Sequence, residues 1–210
     1  NHYDHPDHSG HYRAMSAAAD QVVCNTDQMA LVAAPYCRQA PVVIQDPYEG
    51  PRRGYAGLPD SPRLLWFGHP TNFDSLLACL SDLIQYAQSR PLSLVVLSKI
   101  NPKLDAYAHD LSQRHAPYFS MALQPWSLDE QWKALASCDA VIIPSLQDER
   151  KQVKSANRMI EALWAGKPVV AQPMPAYTAF GQWTPIRPLI SEGLEQLMTE
   201  REQIASRVQA

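Results

Sequence analysis

In this 210-residue sequence the polar residues that could hold charge or hydroxyls gather just after short apolar runs. Gly68, His69, Thr71 and Asn72 follow the run 64–67. Ser98 and Lys99 follow 92–97, and Gln124 and Trp126 follow 118–123. Ser145, Asp148, Arg150, Lys151, Lys154 and Ser155 follow 140–143. Further on, Lys154, Asn157, Arg158 and Glu161 recur at the spacing of one helix face. Such types suit a nucleotide. Glycine lets backbone approach phosphate, and cations and helix N-termini offset its charge. An aromatic ring stacks on a base, and a carboxylate accepts from ribose hydroxyls. Each residue also has a plainer use. Arg158 and Glu161, three apart, make an ordinary helical ion pair, Trp126 can cover a sheet edge, and Lys154 with Ser155 can cap a helix in solvent.

Residues 140–143 form an apolar, β-branched run suited to a strand buried on both faces. From Ser155 the spacing of Met159, Ile160 and Leu163 predicts a helix that Gly166 closes in a left-handed turn, and Pro168 prevents its continuation. Residues 169–171 make a second buried strand, so this stretch is a βαβ unit with its polar loop at the carboxyl end of the first strand. Before it, strands are expected at 64–67, 92–97 and 118–123, with helices at 72–88, 103–114 and 128–137. Ser127 and Glu130 make a capping box for the last helix. After the unit come a short strand near 186–190 and a polar helix from 192 to about 208. Nearer the start, a helix at 13–19, strands at 21–24 and 42–44 and a helix from 27 to 37 are expected. Segment 46–62 holds four prolines and three glycines and reads as a linker. The fold class is α/β: a Rossmann-like parallel sheet with helices on both faces.

A net charge of −3 and 46% hydrophobic residues allow a full core. With a pI of about 6.2, no basic face marks a nucleic-acid binder. No apolar run reaches the ~18 residues of a membrane span, and no signal peptide opens the sequence. Cys24, Cys37, Cys79 and Cys138 are scattered without a CxxC pair, as befits reduced thiols of a cytoplasmic protein. His2, His5, His8 and His11 recur every third residue, but Pro6 and Gly10 break any helix, so the imidazoles share no face and no metal site is assigned. The sequence lacks GxGxxG, GxxxxGK[ST] and GxSxG, which weighs against dinucleotide enzymes, P-loop ATPases and serine hydrolases.

Residues 62–180 resemble the donor-binding, C-terminal half of GT-B glycosyltransferases of the group 1, family 4-like type. The resemblance rests on LLWFG followed by Asn72, on the junction at Trp126, on DAVIIPS, and most specifically on KSANRMIEALWAGKPVVA. ADQVVCNTDQMA is similar to the last strand and helix of that family's N-terminal domain. The resemblance implies that Glu161 accepts from ribose hydroxyls, that Lys154 and Ser155 lie near the diphosphate, and that Asp148 lies near the donor sugar. Gly68 and His69 stand where many members have Gly-Arg, and the lysine that usually follows is absent.

The resulting expectation is a Rossmann-like domain over 63–190. It is preceded by a remnant of an N-terminal GT-B domain (1–45) and the linker (46–62), and followed by a C-terminal helix (191–210), in a piece of a longer glycosyltransferase. Donor-binding residues would be Gly68, His69, Asn72, Lys99, Trp126, Ser145, Asp148, Lys154, Ser155, Arg158 and Glu161, with catalytic residues unassigned. No cofactor or metal is implied; the substrate is a UDP- or GDP-linked sugar. A glycan or lipid-linked acceptor would be held by the missing domain, with peripheral membrane association left open. The alternative is a degenerate, non-catalytic binding module.

Overall fold

The computed structural model describes residues 8–48, 50–55, 57–100, 102–146 and 148–209. Five parallel strands make the main sheet: β3 (Arg63–Phe67), β4 (Leu92–Ser98), β5 (Phe119–Pro125), β6 (Ala140–Ile143) and β7 (Val169–Ala171). They lie in the order β5-β4-β3-β6-β7. The chain builds outward from β3 to β5, then returns to the other side of β3 for β6 and β7. The order therefore reverses between β3 and β6, and the carboxyl ends of those strands flank a crevice. Each strand is linked to the next by a helical crossover, as parallel neighbours require.

Burial on both faces accounts for the unbroken apolar runs. In β3, Leu64 and Trp66 enter one core while Leu65 and Phe67 enter the other. The first core is covered by α3 (Phe73–Ala87), α4 (Pro102–His115) and α8 (Ile190–Thr199), the second by α5 (Leu128–Ser137) and α7 (Asn157–Trp164). The Asp82 carboxylate on α3 accepts the backbone N–H of Ser191 (2.9 Å) and its hydroxyl, tying α8 to α3.

Before the sheet, α1 (Ser9–Ala18), β1 (Val23–Cys24), α2 (Asp27–Ala33) and β2 (Val42–Val43) form a small unit with its own core around Cys24 and Ala33. β1 and β2 pair in parallel. The Thr26 hydroxyl accepts the Met29 N–H at 3.0 Å and caps α2, which tightens into a 3-10 turn at Ala34–Tyr36. Pro35 has no N–H to continue an α-helix.

Several expected bounds shift, for physical reasons. The strand near 186–190 reduces to one bridge, Ala171 to Ile186, because Pro185 and Pro188 lack ladder donors. The single polar C-terminal helix is instead two, α8 and α9 (Arg201–Gln209), parted at Glu200. α8 is amphipathic and buries Ile190, Leu194, Leu197 and Met198. The helix expected from Ser155 begins at Asn157, with Ala156 as an N-cap that offers no side-chain bond. A short helix, α6 (Glu149–Gln152), precedes it, capped by Asp148. α7 buries Met159 and Ala162 fully, while Ile160 and Leu163 are half-buried and pack against the second core. The segment at 46–62 has no helix or strand among its described residues, as its prolines dictate, yet it is seated. Leu58 is buried in the first core, Tyr55 packs against that core, and the Arg53 N–H donates to the Trp164 carbonyl at 3.0 Å.

Candidate functional site

A cleft of about 790 Å3 opens at the carboxyl edge of the sheet, beside the strand-order reversal. Five segments supply its walls. β3 and the turn after it present Phe67, Gly68, His69 and Asn72. β4 ends in Ser98, Lys99 and Ile100; β5 ends in Pro125 and Trp126; α5 and α7 close the cleft with Gln131, Asn157, Arg158 and Glu161.

The turn after β3 is tied down from below. Ser98 Oγ donates to the Gly68 carbonyl at 2.5 Å, and Arg158 Nη1 donates to the Phe67 carbonyl at 3.2 Å. A methyl group on Gly68 would stand 3.3 Å from Arg158 Nη1 and 3.4 Å from the Trp66 ring, so the guanidinium lies against the bare side of that glycine. His69 Nδ1 accepts the Thr71 N–H at 3.3 Å and lies 3.0 Å from the Thr71 hydroxyl. The imidazole thus caps the 3-10 turn Pro70–Asn72, and in its neutral form its proton falls to Nε2.

Across the cleft, three side chains form a relay. The Trp126 indole N–H donates to Gln131 Oε1 at 2.9 Å, and Gln131 Nε2 donates to Glu161 Oε2 at 3.1 Å. Trp126 is 52% exposed and Gln131 only 6%. Sequence reasoning passed over Gln131 as part of a helix. A signal was present: with Ala134 and Leu135 it occupies the buried stripe of α5, and a glutamine there needs a partner.

The cations sit at the α7 end. Lys154 Nζ donates to Asn72 Oδ1 at 2.9 Å, and Lys151 Nζ to Ser75 Oγ at 2.5 Å. Burial of its ammonium, then the nearby Arg158 and Lys151, push the Lys154 pKa below the usual lysine range, with Asp148 pulling the other way. Lys154 keeps solvent contact, so screening moderates the effect. The direction means that repulsion and desolvation outweigh attraction at this ammonium, a setting that an added anion would relieve.

Of the eleven residues singled out from sequence, the cleft brings together Gly68, His69, Asn72, Lys99, Trp126, Arg158 and Glu161. Lys154 and Ser155 line a neighbouring hollow of about 240 Å3 with Asn25, Asp46, Asn157 and Phe180, and Lys154 reaches the cleft's rim through Asn72. Ser145 and Asp148 stand apart. The Ser145 N–H donates to Gln172 Oε1 at 2.8 Å, and Asp148 Oδ1 accepts the Lys151 N–H at 2.9 Å as the α6 cap. The loop after β6 leans on the start of α3, where Ser75 receives Lys151. Among the described residues, no group of three or more His, Cys, Asp or Glu could hold a metal ion. His2 and His5 lie outside the described residues.

Such a parallel sheet, flanked by helices and with a cleft at its strand-order reversal, defines a Rossmann-like α/β architecture. No protein-family model matches the sequence, and no curated relative does. Solved structures do match. TarM superimposes with a TM-score of 0.70 at 13% identity, over 100% of this chain and 44% of TarM. The pneumococcal O-GlcNAc transferase GtfA, solved with UDP and GlcNAc, gives 0.66 at 12% identity over 96% and 43%. The α,α-trehalose 6-phosphate synthase of Burkholderia multivorans gives 0.65 at 10% identity over 97% and 57%. These neighbours are GT-B glycosyltransferases, and this chain has the fold of a GT-B C-terminal-like half. It spans about half the length of the solved structures it matches.

Proposed function

We propose that this chain binds the nucleoside diphosphate of a nucleotide-sugar, UDP- or GDP-linked, as the donor half of a glycosyltransferase. One observation carries the reading: Gly68, Lys99, Trp126, Arg158 and Glu161, from four segments far apart in the chain, converge on a single cleft at the sheet's carboxyl edge. The base would lie against Trp126 and the ribose hydroxyls on Glu161. The diphosphate would lie toward Arg158, Lys154 and the uncapped start of α7, where backbone N–H groups and cations act together. As the sugar leaves, negative charge builds on the diphosphate, and these same groups would stabilise it without a metal.

In the whole enzyme a further N-terminal domain would hold the glycan or lipid-linked acceptor of the hexosyl group. Exposed Val23, Val42 and Ile44 on and beside the β1–β2 pair support such a neighbour, since two short strands leave apolar surface uncovered. A cleft with one wall cannot orient two substrates or exclude water, so this chain alone should not turn over. Its unpaired cysteines favour a reducing compartment such as the cytoplasm. No helix among the described residues is long and apolar enough to cross a membrane; peripheral attachment remains compatible.

A second reading, a degenerate module that binds without catalysis, is favoured by His69. Where many members of the resembling family carry arginine, this imidazole spends its lone pair on a backbone turn. Calorimetric titration with UDP, GDP and their sugars tests the donor site. Glu161→Ala should weaken binding by about 10- to 100-fold, the loss of hydrogen bonds to a charged group worth about 1.5–3 kcal/mol. Absence of binding to every nucleotide, or equal binding by the variant, sinks the reading. Release of free nucleoside diphosphate by the full-length parent separates enzyme from module.

A further inference from the structure

We propose that Gln131 is the positioning residue of this cleft: it fastens the Trp126 indole and the Glu161 carboxylate to one another, so the two nucleoside contacts are set as a unit. The ligand in this proposal rests on the nucleotide reading above; the relay rests on geometry. An indole N–H only donates and a carboxylate only accepts. Oε1 of Gln131 must therefore face Trp126, and Nε2 must face Glu161, as found at 2.9 and 3.1 Å. A flipped amide would set donor on donor and acceptor on acceptor.

The amide has little freedom to do otherwise. Gln131 is 6% exposed on the buried stripe of α5. The start of that helix is pinned by Ser127 Oγ, which accepts the Glu130 N–H at 3.1 Å, and the backbone N–H of Trp126 donates to the Ser98 carbonyl at 2.9 Å. Trp126, half exposed, would otherwise sample several rotamers, and binding would bear the cost of ordering it. With the relay in place, the ring stands oriented before the ligand arrives. With Glu161 Oε2 held by the amide, the carboxylate keeps one orientation for accepting from ribose hydroxyls. The expected consequence is discrimination of ribonucleotides from 2′-deoxyribonucleotides that depends on Gln131.

The test has a ligand-free arm and a binding arm, both on the whole chain. In the first, indole N–H resonances are recorded by 15N NMR, with Trp126 assigned by Trp126→Phe. Glu161→Gln should shift the Trp126 indole signal, and the shift should vanish in a Gln131→Met background. In the second, UDP, GDP and their 2′-deoxy forms are titrated. Gln131→Met should weaken ribonucleotide binding by about tenfold and shrink the ribo-to-deoxy ratio. Gln131→Glu sets a second carboxylate beside Glu161, and two such groups retain a proton at raised pKa. Binding by that variant should therefore weaken as pH rises through that titration, while wild type stays level. An unmoved Trp126 signal, or unchanged affinity, ratio and pH profile in the variants, overturns the positioning role while leaving the nucleotide reading intact. If wild type binds no nucleotide, the nucleotide reading fails first and takes this role with it.

Discussion

Gly166→Ala should destabilise the protein by about 3 kcal/mol. Gly166 closes α7 with φ +70°, and its N–H and that of Lys167 return to Leu163 and Ala162 carbonyls at 2.9 Å each, the pattern of a Schellman cap. A non-glycine residue in that conformation costs about 1–2 kcal/mol. The larger consequence is contact. A methyl group there would lie 2.5 Å from the carbonyl oxygens of Arg53 and Gly54 and 2.7 Å from the Gly54 carbonyl carbon. Those atoms are backbone and can only move together. Moving them strains the Arg53 N–H bond to Trp164, worth about 1 kcal/mol, and disturbs Tyr48 and Arg52 where they lie on the Trp164 ring. Urea unfolding reads the change as a shift in midpoint. Gly54→Ala, where an added methyl group meets nothing within 4 Å, serves as the matched control and should stay within about 0.5 kcal/mol. A loss below about 1 kcal/mol for Gly166→Ala would mean that segment 46–62 is not seated on the end of α7, and the reasoning would fail. The experiment bears on function because α7 carries Arg158 and Glu161.

Two predictions concern titration, beside those for Glu161 and Gln131. Lys154 has a folded pKa below its ordinary 10.5, so its charge penalises folding at all pH values below the folded pKa. The penalty fades as pH rises from there toward 10.5. Wild type should therefore gain stability relative to Lys154→Met across that window, measured by urea unfolding at several pH values. A flat difference would refute it. Burial, with Asp82 adding to it, pushes the Cys79 thiol up to about 12. Burial likewise pushes Cys138 to about 12, with Lys167 the largest opposing influence. At pH 8 both should resist alkylation in the native protein and react once it unfolds, followed by mass spectrometry; rapid native modification of either would contradict their burial.

The local chemistry of the sequence determined most of the frame. Apolar runs with β-branched residues became buried strands, Gly166 and Pro168 ended α7 where such residues end helices, and Ser127 and Thr26 became N-caps. These features depend on neighbours within a few residues, and periodicity reports them directly. Glu161 and Arg158 were legible as a polar helix face for the same reason. Which partner each took was decided elsewhere: Glu161 accepts from a glutamine thirty positions earlier, and Arg158 reaches the end of β3. The order β5-β4-β3-β6-β7 brings those segments to one edge, and no local pattern encodes that order. Ser145 and Asp148 show the same limit. Their position after β6 suggested the site; in the structure the Ser145 N–H meets Gln172 and Asp148 caps α6, and the Gln172 partner is one that no local pattern names. Gln131 is the clearest case. Its place on the α5 stripe is a local feature, whereas its hydrogen bonds needed Trp126 and Glu161 brought to the same place. Sequence by itself determines which backbone conformation each short stretch prefers and which side of it shuns water. Only the packed tertiary structure decides which polar groups meet, because hydrogen bonds act over about 3 Å while the residues that form them lie tens of positions apart in the chain.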